Sequence, residues 1–158
     1  MFSEFKIKEF KFRERAAKII YPSGTPNGKM LLKPEYLGAF PTFDIAMLKR
    51  GYYLIFISHE TRWASDEETD IMAEFVLHCA KELGADKRCI IEGMSCGGLI
   101  ASKLTAKYPE MVSALYLDAP VMNLLSCPAH IGRNENDELC DIQDLEHDEE
   151  DDDAISVN

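Results

Sequence analysis

In the stretch CIIEGMSCGGLIASKLTAKYPE, Ser95 stands between Gly93 and Gly97, separated from them by Met94 and Cys96, and Gly98 follows. The G-x-S-x-G pattern suits one chemistry, in which a serine hydroxyl raised on a sharp strand-to-helix turn attacks a carbonyl carbon. The chain must reverse within a few residues, so a side chain at either glycine would clash and Ser95 is left in a strained backbone conformation. The hydroxyl then stands at the carboxyl end of a strand, over helix amides that favour developing negative charge, and the Cys96 N–H becomes an oxyanion donor. The same five residues also fit a plain glycine-rich loop before a helix. A third reading makes the Cys96 thiol, next to a helix N-terminus, a redox or nucleophilic group.

A serine hydroxyl without a base stays protonated at neutral pH and is a poor nucleophile. The chain has four histidines to serve as that base: His59, His78, His130 and His147. His78 falls inside a helical pattern and reads as a surface or core residue. His130 follows the last recognisable strand closely, and His147 lies within an acidic run. His59, just after the apolar run YYLIFIS, is expected to line a pocket with Arg62 and Trp63 rather than to act as the base. Asp118, at the end of ALYLD, is the candidate acid, with a structural loop role as its alternative.

The elements around these residues are those the motif requires. FKIKEFKF and AAKIIYP alternate apolar and charged residues about RER, predicting two antiparallel strands at a sheet edge, and KMLLK (Lys29 to Lys33) predicts a more buried third. PTFDIAMLKRG predicts a short helix, with Pro41 and Thr42 at its start and Gly51 at its end. YYLIFIS (Tyr52 to Ser58) is a near-continuous apolar run, as a strand covered on both faces requires. SDEE predicts a capping box from Ser65 to Glu68, and Ile71, Met72, Phe75, Cys79 and Leu83 then recur at helical spacing up to Gly84. A strand CII, a helix from about Gly97 to Tyr108 and a strand from Ala114 to Asp118 complete a βαβ series and a mostly parallel sheet.

The charge is unevenly spread. Eleven of the 28 acidic residues lie between Asp137 and Asp153, and the other 17 balance all 17 lysines and arginines. Residues 1–126 are therefore read as the folded core and 127–158 as an acidic, disordered tail. No concentrated basic face argues for nucleic acid. Five cysteines, Cys79, Cys89, Cys96, Cys127 and Cys140, show no CxxC pair or metal-ligand spacing, so no metal or cofactor is expected and the thiols read as reduced, in the cytoplasm. No apolar run reaches the roughly 18 residues a membrane span needs, and no membrane is expected as a partner.

With these residues in view, the chain resembles the α/β-hydrolase superfamily. IIEGMSCGGLIASKLTAKYPEMVSALYLDAP is similar to the nucleophile elbow, the helix after it and the next strand. LLKPEYLGAFPTFDIAMLKRGYYLIFIS is similar to the preceding strand, oxyanion loop, helix and strand in members that resemble carbohydrate-ester hydrolases and prolyl-oligopeptidase-like esterases. The resemblance implies a three-layer α/β sheet, mostly parallel with an antiparallel N-terminal edge and C-terminally incomplete. It also implies a Ser95 nucleophile acting on a small-molecule ester, and a second oxyanion donor from a main-chain N–H in KPEYLGAF, at Tyr36 or Leu37. It further implies that Cys96 Sγ points into the protein. The family order places an acid and then a histidine after the serine, and neither His130 nor His147 matches such a position. A shortened serine esterase with little turnover and a non-catalytic module with an acidic, partner-binding or solubilising tail are the two functions expected. Strands left open at the sheet edge make self-association a further expectation.

Overall fold

A computed structural model of the 158-residue chain describes residues 2–122. The elements below all lie in the first of the two units into which the chain divides, Met1–Pro120. The acidic run, His130, His147, Cys127 and Cys140 lie outside the described residues.

Among the described residues six strands form one sheet: β1 (Ile7–Phe12), β2 (Arg15–Ile20), β3 (Met30–Leu32), β4 (Tyr53–Ile57), β5 (Cys89–Met94) and β6 (Val112–Asp118), in the spatial order β1-β2-β4-β3-β5-β6. β1 pairs antiparallel with β2, and β2 antiparallel with β4; the β4–β3, β3–β5 and β5–β6 pairs are parallel. Parallel neighbours need crossovers, supplied by helices α1 (Thr42–Lys49), α2 (Asp66–Leu83) and α3 (Cys96–Lys107). This is the three-layer α/β-hydrolase-like sheet, mostly parallel with an antiparallel N-terminal edge.

The apolar runs explain why the sheet is covered on both faces. Successive side chains of a strand point to opposite faces, and the two cores divide the strands accordingly. Met30, Leu32, Tyr53, Ile55, Ile57 and Ile91 join α2 and α3 in one core, while Leu31, Leu54 and Ile90 join α1, Phe2 and Phe5 in the other. β1 is half-covered: its alternate residues Phe10 and Phe12 meet Phe75 of α2, while Ile7, Glu9 and Lys11 are exposed. The β1–β2 hairpin turns through Arg13 and Glu14, both at positive φ, as a two-residue loop matched to strand twist demands.

Helix α2 starts at Ser65, whose Oγ accepts the Glu68 N–H at 3.2 Å, and stops at Gly84, which takes the left-handed conformation with φ 62°. Only half of the expected capping box forms. The Glu68 side chain is drawn away from the helix end to Arg15 and His59, because two cationic or N–H donors outweigh one backbone amide.

Candidate active site

Ser95 joins β5 to α3 with φ 50° and ψ −121°, a region that L-residues enter only under constraint. The constraint is visible on both sides. The Ser95 N–H donates to Asp118 O of β6 at 3.1 Å, and the Ser95 carbonyl accepts the Gly98 N–H at 2.9 Å. Close approach also requires the neighbouring glycines to lack side chains. A Cβ on Gly93 would lie 2.7 Å from Ala101 Cβ and 2.8 Å from Gly97 O, and one on Gly98 would lie 2.3 Å from Pro120 Cβ. The turn thus presses helix against strand and leaves Ser95 at the strand end. Cys96 is the first residue of α3, so its N–H belongs to the first turn, whose amides have no acceptor within the helix.

Over this turn lies the segment 33–40, between β3 and α1. A Cβ on Gly97 would meet Glu35 Cβ at 3.0 Å, which measures how tightly this loop sits on the elbow. The Tyr36 N–H, expected as an oxyanion donor, instead donates to the carboxylate of its neighbour Glu35 at 3.1 Å. It is the Tyr36 hydroxyl that lies beside the side chains of Cys96 and Ser95. Burial, reinforced by Cys96, raises the Tyr36 hydroxyl above its ordinary pKa, so it is a protonated donor at neutral pH. Arg62 stands beside the same ring, 5.9 Å from its centroid, with Nε 3.8 Å from Glu35 Oε1.

Two buried charged networks flank the loop. On the α1 side, fully buried Lys33 donates to Asp44 Oδ2 at 2.7 Å, Glu92 Oε1 at 3.3 Å and the Ala39 carbonyl at 3.0 Å. Asp44 Oδ1 and Glu92 Oε2 have no donor among the described residues, yet the two side chains are hydrogen-bonding neighbours. One proton between them resolves this. Burial, followed by the neighbouring Asp44, raises Glu92 to about 8 against the pull of Lys33, so Glu92 carries that proton at neutral pH. On the α2 side, Glu68 is 3% exposed and receives Arg15 Nη1, His59 Nδ1 at 3.2 Å and the Glu60 N–H at 3.3 Å. Burial works against its charge, but the hydrogen bonds from His59 and Arg15 prevail and hold Glu68 below the ordinary glutamate pKa.

His59 is therefore placed differently from the pocket-lining role expected of it. Its side chain is buried, with Nδ1 on Glu68 and Nε2 2.7 Å from the Pro34 carbonyl. His78 stacks near Phe10 and Phe12 and lies 3.5 Å from Glu82. Neither makes a hydrogen bond with Ser95. Trp63 is half-buried, and its Nε1 has no acceptor among the described residues. Asp118 lines a cleft of about 410 Å³ with Phe40, Phe43, Glu92, Met94 and Tyr116, one residue step from Ser95.

Lys33, Glu35, Asp44, Glu68 and Glu92 were not singled out as site residues by the sequence. The available signals were a lysine directly after MLL and a glutamate interrupting CIIEGM, charges where a doubly covered strand tolerates none without partners.

No protein-family model and no curated protein matches the sequence. Solved structures do match its fold. A solved esterase superposes with a TM-score of 0.56 at 18% identity, covering 75% of this chain and 44% of its own. An epoxide hydrolase from Vigna radiata gives 0.55 at 11%, covering 78% and 43%. The thioesterase domain from the curacin biosynthetic pathway gives 0.51 at 16%, covering 73% and 46%. The chain spans less than half the length of these structures. No helix among the described residues is long and apolar enough to cross a membrane.

Proposed function

We propose that the chain carries the nucleophile half of a serine-hydrolase site for carboxylic-ester hydrolysis by acyl transfer on a small-molecule substrate. The observation that carries this reading is the Ser95 turn: a non-glycine residue at φ 50°, at a strand end, opening a helix, with a half-buried phenol beside its side chain. Backbone strain of about 1–3 kcal/mol persists only where the surroundings enforce it, and it recurs at functional sites. In the step proposed, Ser95 Oγ adds to the ester carbonyl while its proton passes to a base. The tetrahedral oxyanion takes hydrogen bonds from the Cys96 N–H and the Tyr36 hydroxyl; the C–O bond then breaks and the alcohol leaves with a proton. Water reverses the sequence on the acyl-enzyme. Asp118 stands close enough to the elbow to serve as the acid partner of such a base.

One observation favours a second reading, a non-catalytic α/β module. Both imidazoles among the described residues are engaged elsewhere, His59 with Glu68 and Pro34 and His78 with Glu82. Removing one member of a Ser-His-acid set lowers turnover by roughly four to six orders of magnitude. The test is labelling of the 158-residue protein with a fluorophosphonate, with Ser95→Ala as control. Covalent labelling lost in Ser95→Ala supports the acyl-transfer site; absence of labelling at Ser95 rejects it in favour of the module.

A further inference from the structure

The loop over Ser95 holds an unlikely backbone. Within five residues, Tyr36 has φ 57° and Phe40 φ 47°, neither a glycine, and Gly38 has φ 96°. A residue with a side chain is strained in this region. The loop's own hydrogen bonds are few: the Ala39 N–H to Tyr36 O at 2.8 Å, and the Tyr36 N–H to the adjacent Glu35 side chain. Something outside the loop must hold it.

Two carbonyls at its ends are taken by buried side chains from opposite faces of the sheet. Lys33 Nζ takes Ala39 O, and it is itself fixed by Asp44 of α1 and Glu92 of β5. His59 Nε2 takes Pro34 O at 2.7 Å. A carbonyl oxygen and a carboxylate oxygen only accept, so Nε2 donates to Pro34 O and Nδ1 to Glu68 Oε2, and both ring nitrogens carry a proton. The other ring nitrogen, Nδ1, is held at 3.2 Å by Glu68 Oε2, and Glu68 is in turn held by Arg15. The imidazole is oriented at both ends and has no freedom to turn toward Ser95.

We infer that His59 is a positioning residue: oriented by Glu68, it clamps the Pro34 carbonyl and so fixes the strained 34–40 loop that sets the Tyr36 hydroxyl on Ser95 and Cys96. This deepens the acyl-transfer reading above, because it explains what holds the phenol assigned there as an oxyanion donor. Glu68 and Arg15 complete the relay from α2 and β2 to the loop, and Lys33 is the matching clamp at the loop's other end.

The test uses the full 158-residue protein with His59→Ala, His59→Gln and Glu68→Gln. Hydrogen exchange is followed on peptides covering 34–40 and, separately, β5 and α3. Losing a hydrogen bond from an oriented donor should speed exchange in the loop by roughly tenfold to a hundredfold. β5 and α3 should keep their protection. His59→Gln, whose amide can still reach Pro34 O, should restore most of the loop protection. The Tyr36 titration, read by ¹³Cζ NMR, should fall back toward the ordinary tyrosine value in His59→Ala as burial and the Cys96 contact are lost, and recover in His59→Gln. Loop exchange within about twofold of wild type in folded His59→Ala would overturn the inference; so would loosening spread equally over β5 and α3, which marks a general loss of stability. If His59→Ala does not fold, Glu68→Gln decides, with selective loop loosening supporting the clamp and an unchanged loop overturning it. Fluorophosphonate labelling of the same variants separates the two readings. A released loop with unchanged Ser95 labelling leaves the clamp standing and removes the phenol from the acyl-transfer site, and a wild type that is not labelled at all rejects that site while exchange still decides the clamp.

Discussion

Replacing Glu92 by glutamine should remove a pH dependence of stability that the wild type carries. Glu92 is 2% exposed, and its carboxyl is raised from 4.5 to about 8, first by burial and then by Asp44, with Lys33 opposing. In the unfolded chain it returns to the ordinary value. Between those two values the folded protein holds a proton that the unfolded chain has lost. Raising the pH through that window therefore draws the equilibrium toward unfolding; below it both states are protonated, and above it both are ionised. One proton of difference changes stability by about 1.4 kcal/mol per pH unit, so about 4 kcal/mol is lost from roughly pH 5 to pH 8.

Glutamine imitates the protonated carboxyl: its amide can donate to Asp44 Oδ1, the oxygen left without a donor, and it cannot ionise. Near pH 5, Glu92→Gln should match the wild type within about 1 kcal/mol, and by pH 8 it should be the more stable of the two by several times that. Urea unfolding of both proteins at closely spaced pH values measures the difference directly. Titration of groups that do not touch Glu92 is common to both proteins and cancels in the comparison. Parallel stability curves from pH 5 to pH 8 would refute the reasoning, because they would mean that Glu92 is already ionised in the folded state.

Two further outcomes are expected. Gly98→Ala should destabilise the protein by at least about 1–3 kcal/mol, read by urea denaturation, because the added Cβ falls 2.3 Å from the ring of Pro120, which cannot rotate away. Hydrolysis of p-nitrophenyl acetate by the purified chain should be slow and change little in Ser95→Ala; a fast rate that collapses in Ser95→Ala and also in His59→Ala or His130→Ala would instead mean a rearranged triad.

The fold was legible where the chain signals with period and punctuation. MLL, YLIFI and CII are apolar on every residue because both faces of their strands are covered, and Ser65 and Gly84 mark the helix ends by chemistry that acts over three or four residues. The turn at Ser95 was legible for the same reason, since Gly93 serves contacts with Gly97, Gly98 and Ala101 within the elbow itself. The loop was legible in place but not in detail. The reading of Tyr36 rested on its main-chain N–H, and no local rule says that Glu35 will capture that N–H or that the phenol will swing onto Ser95. His59 and Glu68 were read by neighbourhood, one as pocket lining and one as a cap. Their roles come from Pro34, 25 residues earlier, and Arg15, 53 residues earlier, partners that only the sheet order brings together.

The two buried networks are hard to explain as devices for stability. Removing charges from water costs several kcal/mol per ion, and well-packed apolar side chains of similar volume often do as well or better. Lys33 and Glu92, with Asp44 of α1 bonded to Lys33, lie on the sheet face that also buries Ile20, Leu31 and Leu54, where leucines would fit the pattern. What an apolar side chain cannot do is hold a carbonyl oxygen in a chosen place. Lys33 and His59 each spend one donor on a main-chain carbonyl of the same loop, Ala39 and Pro34, and each is steadied by carboxylates from the helix on its own side of the sheet. A loop that strains two residues into positive φ gains fixed geometry from such anchors, at a cost that a loop with no task at the elbow would have no reason to bear. On the acyl-transfer reading proposed above, the buried charges and the strained serine belong to one arrangement, in which stability is given up to hold the Tyr36 loop on the elbow.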